Sequence, residues 1–432
     1  MNTAAPLPGA PWLERRDGAL WLDGCELGAL ARDFGTPLYV YSRRAMLAAL
    51  AGYQRALAGR EHLICYAMKA NSSLAVLQTF AQAGCGFDIV SAGELERVIA
   101  AGGDPGKTVF SGVGKTRSEM RRALEAGVRC FNVESESELD VLSGVAQACG
   151  RTAAVSLRVN PDVDAGTHPY ISTGLRGNKF GIAHDRAVAA YRRAAALPGL
   201  RVEGIDCHIG SQITQVEPYL DALDRVLDLV EAVEAAGIAL HHIDLGGGLG
   251  ITYTDEAPPA TKDFVARLLQ RLDARGHGHR TVMFEPGRSL VGNAGVLLAE
   301  VLYLKPSTGD GGRDFCIVDA AMNDLVRPAM YEAWMRIEPC QLRHDVPPRA
   351  WDVVGPVCES GDWLGRDRAL AVAPGDVLAV LSAGAYGMTM ASNYNSRGRA
   401  AEVMVDDGRA TLIREREDVR ALYAQERLLP VA

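Results

Sequence analysis

The chain has 432 residues, 48% hydrophobic and 23% charged, a balance that suits a globular protein with ample core. Its net charge is −8 at pH 7, and no basic run is long enough to favour nucleic acid or an anionic lipid surface. No stretch approaches the ~20 apolar residues that span a bilayer, and residues 1–8 lack the positive start and apolar core of a signal peptide.

In chain order, Ala19–Leu22 is strand-like, a helical turn follows, and Thr36–Tyr41 opens the next block. From about residue 60 to 290, apolar runs at 62–68, 86–90, 107–111, 129–133, 153–159, 202–208, 241–245 and 281–285 read as strands. Between them, residues 74–83, 93–101, 117–126, 136–148, 219–235 and 262–274 carry helical spacing. Eight strands alternating with helices predict an α/β protein built on a closed (β/α)8 barrel, with an open doubly wound sheet as the competitor. Beyond residue 294, period-two runs at 296–304, 314–319, 351–357, 376–381 and 401–406 predict an all-β domain, with a hairpin tip at 305–312. The expected division is a barrel over 36–293 and a β-rich domain from 1–35 and 294–432. Nine cysteines stand singly, with no Cys-x-x-Cys pair, which predicts reduced thiols, a cytoplasmic location and no metal site.

Barrel enzymes keep their chemistry where strands end. Those ends here are Lys69, Asp88 with Ser91, Ser111, Glu134, Asn160, His208 with Ser211, Gly246–Gly248, and Glu285–Arg288. Lysine is rarely buried without a function, and a desolvated amine attacks carbonyls. Solvation past a strand end is its plain alternative. Gly246-Gly247-Gly248-Leu249-Gly250 lets backbone N–H groups converge on a phosphate, and the loops after strands seven and eight are where barrels grip one. A tight turn would read the same way. Glu285 could hold a protonated ring nitrogen or pair with Arg288. His208 could stack on a ring or pack in the core. Gly112-Val113-Gly114-Lys115-Thr116 resembles a nucleotide P-loop, but Val109 stands where that pattern needs glycine. Cys358-Glu359 joins a thiol to a carboxylate, and Tyr386 could reach a phosphate or simply pack.

Several segments together resemble the fold-type III pyridoxal-phosphate decarboxylases, in particular the branch acting on diaminopimelate. They are Tyr66-Ala67-Met68-Lys69-Ala70-Asn71, Asn160-Pro161-Asp162-Val163-Asp164 with Thr167–Gly174, Asn178–Ile182, and His208-Ile209-Gly210-Ser211-Gln212. Glu285-Pro286-Gly287-Arg288, Met322–Pro328 and the Cys358-Glu359 loop complete the set. The resemblance implies pyridoxal 5'-phosphate as cofactor, with Lys69 as its Schiff-base lysine, His208 stacked on its ring and Glu285 on its ring nitrogen. It implies a phosphate grip from Ser211, Gly248, Gly287 and Arg288, with Asp88, Pro286 and Tyr386 nearby. Arg288, Arg327 and Tyr331 match positions that hold a distal carboxylate, Tyr386 lies close to the substrate, Glu359 meets the distal amine and Cys358 is the proton donor. A homodimer with shared active sites follows, as does an alanine-racemase-like barrel. Met68 and Val113 depart from the usual residues without removing a functional group. Decarboxylation of ornithine, lysine, arginine or carboxynorspermidine is the alternative, and a non-catalytic regulator would be expected to lack Lys69 or Cys358.

Overall fold

The computed structural model describes residues 6–164, 173, 178–307 and 312–430. Most of the segment 167–174 and the tip of the 305–312 hairpin lie outside the described residues. The chain forms two compact units, one of residues 47–251 and 256–290, the other of residues up to 46, 252–255 and those from 291.

The first unit is the barrel. Its strands are His62–Ala67, Gly86–Ile89, Thr108–Phe110, Cys130–Val133, Ala153–Asn160, Leu200–Asp206, His242–Asp244 and Thr281–Phe284. All pair in parallel in sequence order, and Thr281–Phe284 returns to His62–Ala67 to close the ring. The open-sheet alternative is thereby excluded. Short apolar runs form these strands because both faces are covered, so alternation is lost. Cys65, Val109, Cys130, Ala154 and Met283 fill the interior as one buried cluster. Helix starts are set by side chains that accept the free N–H groups of the first turn. Ser91 and Ser135 cap helices Ala92–Ala100 and Glu136–Ala148, and Thr116 with Glu119 makes a full capping box for Arg117–Ala126.

The second unit is a mixed β-sheet domain. Its order is Trp363–Leu370, Arg349–Val354, Phe315–Val318, Gly295–Lys305, Leu38–Ser42, Ala401–Asp406 and Arg409–Arg414. Val377–Val380 also pairs with Gly295–Lys305. Leu20, Leu22, Leu38, Val40, Val296, Leu298, Ala401, Val403 and Val405 pack in its core, and each leucine or valine among them adds about 1.5–3 kcal/mol by leaving water. The expected barrel start at residue 36 is therefore corrected. Leu38–Ser42 pairs antiparallel with Gly295–Lys305 and parallel with Ala401–Asp406, so it is an inner strand of the β domain. All nine cysteines are unpaired thiols, and among the described residues no helix is long and apolar enough to cross a membrane.

Candidate active site

The first barrel strand ends at Ala67, and a 3-10 turn, Met68–Ala70, presents Lys69. Ala67 lies beside Asp88 in the parallel register, so Lys69 Nζ donates to Asp88 Oδ2 at 2.6 Å. The desolvated amine expected from sequence is therefore replaced by an ion pair: the lysine side chain is 37% exposed and its carboxylate partner 0%. An adjacent carboxylate favours the ammonium form. The Ala67 N–H donates to Pro286 O at 3.1 Å, tying this strand end to the last one. Gly287 lies against Ala67 so closely that a Cβ there would stand 3.1 Å from the Ala67 carbonyl.

Glu285 ends the last barrel strand and is buried. Its Oε1 accepts from Asn132 Nδ2 at 3.2 Å, and among the described residues it makes no ion pair with Arg288. Burial, then the fields of Asp244 and Asp88, push its carboxyl well above the ordinary range. Arg288 instead donates to Ser211 Oγ from Nη2 at 3.0 Å, holding the ends of strands six and eight together.

The glycine turn after strand seven is forced by its surroundings. A Cβ at Gly247 would meet Glu285 O at 2.1 Å, and one at Gly248, whose φ is +100°, would meet Gly210 O at 2.3 Å. Asp244 Oδ1 accepts the Gly246 N–H at 2.9 Å, and His208 Nδ1 accepts the Gly247 N–H at 3.2 Å. Accepting at Nδ1 requires a ring without a proton there. Burial, with the nearby charges of Arg158 and Lys69, pushes the His208 pKa well down, so the ring is neutral at pH 7.

An ion network braces strands three to five. Glu134 accepts from Arg158 Nη1 at 3.0 Å and from the Gly181 N–H at 2.8 Å. Lys115 donates to Gly112 O, Asn132 O and Glu138 Oε1 at 2.8, 2.7 and 2.8 Å, with its side chain 0% exposed. Thr116 caps the next helix. The P-loop look-alike is thus an internal strut.

In the β domain, Arg327 and Tyr331 begin and end the five-residue helix Arg327–Tyr331. Arg327 is buried and donates from Nη1 to Tyr253 Oη at 2.7 Å, with its guanidinium 4.9 Å from the Tyr253 ring centroid. Cys358 is exposed. Its loop is pinned by Asp362, which accepts the Met322 and Val357 N–H groups at 2.7 and 2.8 Å. Glu359 Oε1 accepts from Tyr394 Oη at 2.5 Å. Tyr386 sits at φ +55°, a region bulky residues rarely adopt, in a turn where a Cβ on Gly387 would meet Ala383 O at 2.7 Å.

Sequence reasoning passed over Asn132, Arg158, Asp206, Asp244, Tyr253 and Tyr394. Asp206 and Asp244 had a usable signal: each is a carboxylate that follows an isoleucine at the end of its strand. Tyr253 and Tyr394 had none, because loop tyrosines are common.

The barrel-end residues fit pyridoxal 5'-phosphate. Lys69 offers the amine, Glu285 a buried acid that a protonated ring nitrogen would balance, and the Gly246–Gly248 turn a stretch of backbone free of side chains, packed against Gly210 and Glu285.

Comparison with known proteins agrees. Residues 43–292 match the family described as "Pyridoxal-dependent decarboxylase, pyridoxal binding domain". The diaminopimelate decarboxylase of Pseudomonas aeruginosa is 60% identical over 96% of this chain and 98% of its own length. That of Vibrio cholerae is 54% identical over 96% and 98%. The crystal structure of diaminopimelate decarboxylase from Helicobacter pylori complexed with L-lysine superposes with a TM-score of 0.88 at 40% identity, covering 92% of this chain and 98% of that one. The chain belongs to the diaminopimelate decarboxylase family of pyridoxal-dependent decarboxylases.

Proposed function

We infer that this protein removes one carboxylate of meso-2,6-diaminopimelate as carbon dioxide and releases L-lysine, the last step of lysine biosynthesis. Bound pyridoxal phosphate supplies an electron sink for the bond that breaks. Lys69 binds the cofactor and, held by Asp88, stays aimed at the barrel mouth. Glu285 would face the ring nitrogen and favour its protonated form, and neutral His208 would offer an uncharged face to the ring. Ser211, Gly248, Gly287 and Arg288 grip the phosphate, with Pro286 fixing the turn and Tyr386 adding a hydroxyl.

The observation that carries the substrate assignment is the buried Arg327 guanidinium, stacked on Tyr253 and sharing a helix with Tyr331. A guanidinium fork suits a carboxylate, which diaminopimelate carries at its far end and ornithine and lysine lack. A ligand without it forfeits that charge-assisted contact. Glu359 receives the distal amine, and Cys358 returns a proton to the α-carbon. We propose a cytoplasmic homodimer in which the Cys358–Glu359 loop of each subunit completes the other's site. The exposure of Cys358 supports this. Carbon dioxide release from diaminopimelate, ornithine, lysine, arginine and carboxynorspermidine tests the assignment. Diaminopimelate should lead by orders of magnitude, and ornithine outrunning it would overturn the reading.

A further inference from the structure

Beneath the strand ends, the interior of the barrel holds more carboxylates than cations. Asp206, Asp244 and Glu285 each offer an oxygen, and these oxygens all lie within 4.8 Å of one another, every one buried. Topology puts them there. Strands six, seven and eight are neighbours, and the parallel register sets Asp206 beside Asp244 and Asp244 beside Met283. Glu285 is two residues further on, hence on the same face as Met283.

The hydrogen-bond accounting around this group does not close with three carboxylates. Asp244 Oδ1 takes the Gly246 N–H, but among the described residues Asp244 Oδ2 and Asp206 Oδ1 are buried with no donor. Asp88 Oδ1 is likewise without one, although its Oδ2 holds Lys69. The groups facing the cluster do not repair this. Lys69 is engaged by Asp88, and Arg158 by Glu134. The Cys65, Cys130 and Cys207 thiols are kept protonated by burial, and His242, two residues back on strand seven, is held neutral by burial. A buried acceptor carrying full charge with no donor is strongly unfavourable. A proton on one carboxyl turns the orphaned oxygen into the missing donor.

We propose that Asp244 is a positioning residue that remains protonated in the cofactor-loaded enzyme, its Oδ2 donating to Glu285 while its Oδ1 keeps the Gly246 N–H. Among the three acids, Asp244 stands on the middle strand, between Asp206 and Glu285, and Glu285 is the one that faces the cofactor nitrogen, an assignment that rests on the proposed function. Asp244 is left as the keeper of the proton. Burial pushes all three carboxyls up, Asp206 and Glu285 well above the ordinary range and Asp244, held down by the Gly246 N–H and by its contact with Glu285, to about 7. One residue thereby joins the two halves of the cofactor site. It orients the acid that meets the ring and fixes the first N–H of the glycine turn, whose Gly246 carbonyl accepts from the Glu285 N–H at 2.7 Å.

The test uses the holoenzyme. Infrared difference spectra should show the carbonyl stretch of a buried protonated acid in the wild type at neutral pH, absent in Asp244→Asn. In parallel, cofactor affinity should fall about ten- to a hundredfold in Asp244→Ala. Asp244→Asn, which keeps a neutral N–H donor, should restore most of that loss. A purely space-filling role predicts no infrared change, so a wild type without the band, or a D244N protein that retains it, overturns the proposal. Asparagine proving as damaging as alanine overturns it too. If the alanine variant does not fold, the infrared comparison of wild type and D244N decides alone. Glu285→Gln tests the underlying reading separately. An unchanged cofactor absorbance and affinity there would remove Glu285 as the ring's partner, and the proposal with it.

Discussion

Replacing Lys115 with methionine is the sharpest test of how the barrel mouth is held. The ammonium is fully buried and makes three bonds of 2.7–2.8 Å, to two carbonyls and to Glu138. Methionine fills similar volume and removes the charge, so the loss measures electrostatics and not a cavity. It strands the Glu138 carboxylate, whose other described contact is the Glu134 N–H at 2.9 Å, and leaves two carbonyls without this donor. Removing one partner of a buried pair costs about 3–5 kcal/mol. Equilibrium urea unfolding followed by circular dichroism reads that loss directly. Adding Glu138→Gln removes the stranded charge but keeps an acceptor for the Glu134 N–H, and should recover about half of it. Cofactor affinity should weaken as well, since Glu134 holds Arg158, which reaches the His208 carbonyl at 3.4 Å. A single-variant loss below about 1 kcal/mol, or no recovery in the double variant, would refute the account of Lys115 as an internal strut.

Other expectations are simpler. Lys69→Ala should give a colourless protein, whereas the wild type should be yellow and bleached by borohydride; absorbance spectra check both. Arg327→Met should lower kcat/KM for diaminopimelate about 10²–10⁴-fold, the scale of losing a buried charge pair to a substrate carboxylate, read in a carbon dioxide release assay. Cys358→Ala should cut kcat by about 10²–10⁴ through loss of a proton donor while leaving the urea midpoint unchanged, because the thiol is exposed. His242 titrates at about 4 because burial disfavours its charged form, against about 6.5 in an unfolded chain. Its contribution is complete above pH 6.5 and lost as pH falls through 4, since the unfolded chain then binds the extra proton. Relative to His242→Gln, the wild type should lose about 3 kcal/mol across that interval in pH-dependent urea unfolding.

Much of the barrel was legible because its strands are covered on both faces and its helices carry clear caps and spacing. Residues 117–126 and 136–148 form helices over the predicted spans. Leu38–Ser42 fell inside the expected barrel bounds, and its composition gave no contrary sign: all five residues are buried, so an inner strand of the β domain shows no alternation. Trp363–Leu370 was invisible because Gly365, Arg366 and Arg368 break its apolar alternation. Lys69, His208, Glu285 and the glycine turn stood out because polar residues closing apolar strands mark one end of a barrel. Asp206 and Asp244, the last residues of their strands, escaped notice because only three-dimensional register brings their oxygens together. Tyr253 escaped because its partner Arg327 is 74 residues away in sequence.

Leu38–Ser42 has a consequence for how the molecule is made. Its sheet neighbours are Gly295–Lys305 and Ala401–Asp406, so a segment emerging early from the ribosome waits for chain synthesised hundreds of residues later. Barrel strands, by contrast, find most partners within the next βα unit. Contacts so distant in sequence form slowly, and an apolar edge left bare in the interval invites pairing with other chains. The β domain is therefore the last part to mature, and the stage at which a nascent molecule is most exposed to aggregation.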